Sequence, residues 1–157
     1  MSDDLARLYW DANVFLSYIN GIPTRLPDLD ALLERSGKDF QIITSVVSIV
    51  EVAFGKAEQD GGSLDPDVER KIDALWTPDS PIRLVELYPQ IAHGAKAIMR
   101  ETLARGWKLK PLDAIHLAAA KQEQATAFHT YDTELEKYSS IIGCSVSQPL
   151  AKAPKLL

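Results

Sequence analysis

Short apolar runs alternate with helical periodicity along this chain. Leu5–Trp10, Phe40–Thr44, Ile82–Leu87 and Thr126–Thr130 are brief runs rich in apolar, β-branched or aromatic residues, which predicts four strands; Cys144–Ser147 is a shorter fifth. Between them the spacing turns helical. Asp28–Gly37 carries Leu29, Leu32 and Leu33 on one face, and Val46–Gln59 reads as one longer helix with Ser45 as N-cap, ended by Gly61-Gly62-Ser63. Pro66–Trp76, Gln90–Arg105 and Pro111–Glu123 follow; the last opens with proline at its first position, where the missing N–H costs nothing. Thr133–Tyr138 is a short helix, with Thr133 and Glu136 at capping-box spacing. Strands separated by helices predict an α/β fold, a three-layer α/β/α sandwich around a parallel sheet of four to five strands.

The length, 157 residues, suits one domain over residues 1–148, with 149–157 as a C-terminal tail. No apolar run is long enough to span a bilayer, and the acidic start Met1-Ser2-Asp3-Asp4 does not resemble a signal peptide. The single cysteine, Cys144, has no disulfide partner within the chain. These features predict a cytoplasmic protein with no membrane contact. A net charge of −5 counts against simple binding to duplex nucleic acid, which favours basic surfaces. It counts less against a nuclease, whose acidic pocket is neutralised by cations.

Four acids stand out. In a parallel α/β sheet, ligands bind outside the carboxyl ends of the strands. Asp11 and Asp132 directly follow predicted strands, Glu51 lies two turns into the helix after Phe40–Thr44, and Asp113 lies in the first turn of its helix. Carboxylates gathered there repel one another unless a cation joins them, and an all-oxygen acidic site suits Mg²⁺ or Mn²⁺. Each acid also has an ordinary explanation. Asp11 or Asn13 can cap the next helix, Asp113 suits the helix dipole, and Thr130 and Asp132 suit a turn. Glu51, inside a largely apolar helix, is either at an exposed edge or buried with a partner. If that helix is continuous, Ser48 and Gly55 share its face. His116, one turn after Asp113, is either packed or in contact with the site. Arg100, Arg105, Lys108 and Lys110 form a basic stretch before Asp113, read either as a solvated helix end or as substrate contacts. Phosphate-binding glycine motifs, a Gly-x-Ser-x-Gly elbow, CxxC and HExxH are all absent from the sequence.

In order, Asp11-Ala12-Asn13-Val14-Phe15, Ser45 with Glu51 six residues on, Leu112-Asp113-Ala114-Ile115-His116-Leu117-Ala118 and Thr130-Tyr131-Asp132 resemble the four motif regions of PIN-domain ribonucleases. The size resembles the VapC-type toxins of toxin–antitoxin pairs, and the likeness runs from Tyr9 to about Asp132. It implies Mg²⁺- or Mn²⁺-dependent cleavage of RNA by in-line attack of water, without a covalent enzyme intermediate. Asp11, Glu51, Asp113 and Asp132 would be the catalytic, metal-binding acids, with Glu134 and Glu136 competing for the fourth place. Asn13, Ser45 and Thr130 would be supporting polar groups, and Arg105, Lys108, Lys110 and His116 possible RNA contacts. A homodimer and a small antitoxin partner are implied too; Val68, Ile72, Leu75, Trp76 and Trp107 are apolar residues available to core or interface. Two other classes remain: a PIN-like module that binds RNA or protein without cutting, and a phosphohydrolase or receiver-like domain using Asp11 as a phosphorylated nucleophile.

Overall fold

A computed structural model of the chain describes residues 5–151; the acidic start and residues 152–157 of the expected tail lie outside them. Five strands, β1 (Ala6–Trp10), β2 (Phe40–Ser45), β3 (Ile82–Val85), β4 (Ala127–His129) and β5 (Ser145–Ser147), form one parallel sheet in the order β3-β2-β1-β4-β5. β1 to β3 build outward on one side. The chain then crosses back to lay β4 on the other side of β1. The topological switch point therefore lies between β1 and β4, and the carboxyl ends of the strands there are where open α/β sheets bind ligands.

The central strands are largely apolar because both faces are covered. Successive side chains point to opposite faces. Tyr9, Ile43, Val85 and Phe128 belong to one buried cluster, and Trp10, Ile42 and Ile82 to the other. Helices α1 (Ala12–Ile19), α2 (Leu26–Arg35) and α5 (Pro66–Ala74) pack on the Trp10 face, which also buries Val52. Helices α6 (Pro89–Leu103), α7 (Pro111–Gln122) and α8 (Ser139–Ile142), with a 3-10 helix at Thr133–Tyr138, cover the Tyr9 face. This is the three-layer sandwich expected from the pattern. Ala151, inside the expected tail, is tied back: its N–H donates to Asp28 Oδ1 at 3.1 Å and its carbonyl accepts from Arg35 at 3.3 Å.

The structure corrects two local expectations and decides a third. The single helix over Val46–Gln59 is two short ones, α3 (Val47–Glu51) and α4 (Lys56–Gly61). Val52 leaves helical geometry at φ −99, ψ 47, and its side chain is fully buried, whereas Val50 is 76% exposed. The second helix restarts at Gly55, whose N–H donates to Glu58 Oε1 at 2.9 Å, while the Lys56 N–H donates to Asn20 Oδ1 at 2.8 Å. These tertiary bonds outweigh the continuity of the apolar run. Glu51 and Gly55 therefore do not share a helix face, and Glu51 stands at a helix end. Second, the 3-10 helix at Thr133 is capped by Asp132, whose Oδ1 accepts from Glu134 N–H at 3.0 Å, not by a Thr133–Glu136 box. Third, of the apolar residues left open to core or interface, Val68, Ile72 and Leu75 follow the core reading, and Trp76 and Trp107 are packed inward too. Ile72 and Leu75 are core, Trp76 packs edge-on against Phe15, and Trp107 packs edge-on against Tyr138. Among the described residues, no helix is long and apolar enough to cross a membrane.

Candidate active site

Asp11 is the residue where β1 ends and α1 begins. It occupies the N-cap position, yet its side chain makes no capping bond. Its backbone N–H donates to the His129 carbonyl at 3.3 Å, which stitches β1 to β4 at the switch point. The residue is only 3% exposed, and Oδ1 has no hydrogen-bond partner. Burial, the largest cause, pushes its pKa from 3.8 up to about 7; the Thr130 hydroxyl and His116 pull downward, and the charge of Asp113 pushes further up. A buried acid that caps nothing and carries an orphaned oxygen is unexplained by local structure.

The expected polar neighbours surround it. Asn13 is not a helix cap. Its amide donates to Thr130 Oγ1 at 3.2 Å, and its Oδ1 accepts from Tyr131 N–H at 3.1 Å. Thr130 Oγ1 also accepts the Asp132 N–H at 3.0 Å, and the Thr130 N–H donates to Ser147 at 3.0 Å. Asn13 and Thr130 thus fix the turn that carries Asp132. Ser45 closes β2; its hydroxyl accepts from Val47 N–H at 3.2 Å, and its own N–H donates to the Tyr9 hydroxyl at 3.1 Å. Thr44 donates to the Trp10 carbonyl at 2.7 Å and shares a bond with Ser48 at 2.7 Å, locking β1, β2 and α3 together.

The other acids converge electrostatically. Asp113 sits in the first turn of α7, which starts at the carboxyl edge because it runs back toward the start of β4. Burial raises its pKa, His116 opposes that, and the charges of Asp132 and Glu51 raise it further, while Lys110 lowers it. Burial holds the Tyr9 phenol well above its usual value, with smaller upward pushes from Asp11 and Glu51. Asp113 therefore acts on Asp11, and is itself acted on by Asp132 and Glu51. Glu134 and Glu136 are exposed, and Glu134 lies 3.6 Å from Lys137; Asp132 is the nearby acid that Asp113 feels.

His116 corrects the expectation of an RNA contact. It is 1% exposed, with Nδ1 2.7 Å from the Tyr9 hydroxyl and Nε2 2.7 Å from Glu51 Oε1. It is the buried partner that Glu51 needs. Of the basic stretch, Arg105 lies 3.5 Å from Glu101 and over the Trp107 ring, whereas Lys108 and Lys110 are exposed and Lys110 is close enough to Asp113 to act on it. Sequence reasoning missed Arg25, which lies 3.8 Å over the Tyr131 ring beside Asp132 and donates to Ser17. Tyr9 was also missed as a polar group, because inside an apolar strand it reads as core.

Among the described residues, no three His, Cys, Asp or Glu side chains form a ready-made cage for a metal ion. The donor set nevertheless fits a hard cation. It consists of carboxylates, one of them with a buried oxygen lacking a partner. Mg²⁺ commonly keeps several waters and is held by one or two carboxylates plus substrate phosphate, so it does not require a closed protein cage.

Known proteins share this arrangement of elements. The family model for the PIN domain matches residues 8–141. A VapBC2 complex from Rickettsia felis bound to a promoter DNA fragment superposes with a TM-score of 0.68 at 16% identity, covering 90% of this chain and 98% of that one. FitAcB from Neisseria gonorrhoeae gives 0.63 at 17% identity, covering 90% and 97%. VapC20 from Mycobacterium tuberculosis, described as a toxin that cleaves the sarcin–ricin loop, gives 0.61 at 13% identity, covering 80% and 90%. At such identities these likenesses show the fold. No curated protein matches in sequence.

Proposed function

Since this chain belongs to the PIN-domain family, we propose that it is a metal-dependent endoribonuclease, the toxin of a type II toxin–antitoxin pair, acting in the cytoplasm. The observation that carries this reading is Asp11: buried, uncapping, with an unpartnered oxygen, and linked by charge to Asp113 and through it to Glu51 and Asp132. The matched family and the VapC-type neighbours support the nuclease-toxin class.

In this reading Asp11, Glu51, Asp113 and Asp132 hold Mg²⁺ or Mn²⁺. When bound, such a cation makes water a stronger nucleophile and neutralises charge building on the phosphate. The chain's own residues set the stage. Asn13 and Thr130 hold the turn bearing Asp132, and Ser45 fixes the start of the segment leading to Glu51. Lys108 and Lys110, with Arg105 beside them, neutralise RNA phosphates next to an otherwise repulsive acidic pocket. Single-stranded or looped RNA is the substrate class, because its unstacked bases can be splayed out and read by a protein surface. The domain spans residues 1–148 and forms a homodimer. Its partner is a small antitoxin, as the neighbouring structures include toxin–antitoxin complexes.

The test is cleavage of structured RNA by the purified chain with Mg²⁺ or Mn²⁺, with chelator, and with Asp113→Asn. Cleavage only in the first condition is expected. Equal cleavage in chelator, or by Asp113→Asn, refutes the reading. The second reading is a non-cutting RNA- or protein-binding module, since a shared fold does not by itself carry catalysis. Binding of RNA without cleavage under any metal would select that alternative.

A further inference from the structure

We propose that Tyr9 and His116 are positioning residues that hold the Glu51 carboxylate in a single orientation, with Oε1 committed to His116 and Oε2 left for a divalent cation. The proposal rests on Glu51 being one of the metal-binding acids.

The hydrogen bonds run in one direction. The Ser45 backbone N–H donates to the Tyr9 hydroxyl oxygen at 3.1 Å. In a neutral His116 whose Nε2 carries the proton facing Glu51, Nδ1 is the acceptor and takes the phenol's own proton across 2.7 Å. An ionised carboxylate only accepts, so the proton between His116 and Glu51, 2.7 Å apart, belongs to Nε2. A backbone amide thereby fixes a phenol, the phenol fixes an imidazole tautomer, and the imidazole fixes a carboxylate. Each participant comes from a different element: the end of β2, β1, α7 and the last residue of α3.

Glu51 needs such a device. It sits at the final position of a five-residue helix, followed by Val52 outside helical geometry, so its own backbone gives it little support. Its side chain is one-fifth exposed, while that of His116 is 1% exposed. Tyr9 is rigid: its ring stacks on Phe128 at 5.2 Å and meets His116 edge-on at 5.7 Å. His116 also stands one turn after Asp113 on α7, so the same helix presents one acid and steers another. Where a metal ligand's outer hydrogen-bond partner is removed, metal affinity or activity typically falls about 10–100-fold.

The experiment uses the full chain and needs no RNA for its main readouts. Nitrogen NMR of histidine-labelled, metal-free protein reports the His116 tautomer, and calorimetric titration with Mn²⁺ reports affinity. Wild type, Tyr9→Phe, His116→Ala, His116→Gln and Glu51→Gln are compared, each first checked for cooperative thermal unfolding. The expected results are a His116 proton on Nε2 in wild type, loss of that single tautomer in Tyr9→Phe, and Mn²⁺ affinity about 10–100-fold weaker in His116→Ala. His116→Gln, whose amide can donate to Glu51, should recover much of the loss; a purely structural role gives no such rescue. A proton on Nδ1, or unchanged Mn²⁺ affinity in His116→Ala while Glu51→Gln loses binding, overturns the proposal. A Glu51→Gln protein that binds Mn²⁺ like wild type overturns the metal role of Glu51 itself, and the proposal with it.

Discussion

Removing the charge of Asp11 should stabilise the metal-free protein, and the gain should grow with pH. The carboxyl is buried, one oxygen has no partner, and its pKa is raised from 3.8 to about 7. In the native state it therefore keeps its proton to about pH 7, whereas in the unfolded chain it ionises near 3.8. Between those values the native state binds more protons than the unfolded one, so Asp11 makes stability fall as pH rises, and the whole penalty is present above about pH 7. At about 1.4 kcal/mol per pH unit, the full interval corresponds to about 4 kcal/mol, of which about 3 kcal/mol develops between roughly pH 4.5 and pH 8. Asp11→Asn keeps the shape and abolishes this dependence. Its amide brings a fixed cost of about 1–3 kcal/mol if a donor stays unpaired, but that cost is the same at both pH values. Urea unfolding of both proteins in chelator, at the two pH values, gives the difference directly. The variant should gain about 3 kcal/mol on wild type from the lower pH to the higher. Mn²⁺ should then offset the wild-type penalty, by about 2.7 kcal/mol at a hundredfold excess over Kd, and help Asp11→Asn far less. A stability difference that does not change with pH would refute the electrostatic reading of Asp11.

Four further outcomes are expected. Glu58 is buried and accepts the N–H groups of Gly55 at 2.9 Å and Asp65 at 2.8 Å, so Glu58→Ala should cost about 3 kcal/mol in chemical unfolding while folded protein keeps its RNA cleavage rate. Lys110→Ala, beside Asp113, should raise KM for RNA with little change in kcat, and lower the salt slope of binding by about 0.7; an unchanged slope would remove Lys110 from the contact surface. Sedimentation at micromolar concentration should show a dimer, and the product of a neighbouring small gene should co-purify and suppress cleavage; a monomer throughout contradicts the first, and an inert partner the second.

The strands were legible because a sheet covered on both faces writes itself as short apolar runs, and β1, β2 and β4 begin or end within a residue or so of the runs that announced them. Helix α7 was legible from proline at its start and α6 from its helical spacing, although its opening Pro89 was not read as part of it. The break between α3 and α4 was not. Val46 to Phe54 is apolar at nearly every position, so no period distinguishes one helix from two, and the deciding bonds come from Asn20 and Glu58. The candidate site shows the same division. Asp11, Asp113 and Asp132 were visible as acids at strand or helix ends. Their companions were visible as residue types only, because their partners are distant in sequence: Asn13 meets Thr130, and His116 lies between Tyr9 and Glu51. No local pattern around His116 distinguishes a packed ring from one that orients a carboxylate.

Whether the four acids share a cation is read out by anomalous diffraction from crystals of the chain grown with Mn²⁺. A manganese peak is expected within coordination distance of Asp11 and at least one of Glu51, Asp113 and Asp132, lost in Asp11→Asn. A peak elsewhere on the molecule, or saturating Mn²⁺ with no peak beside Asp11, would contradict it.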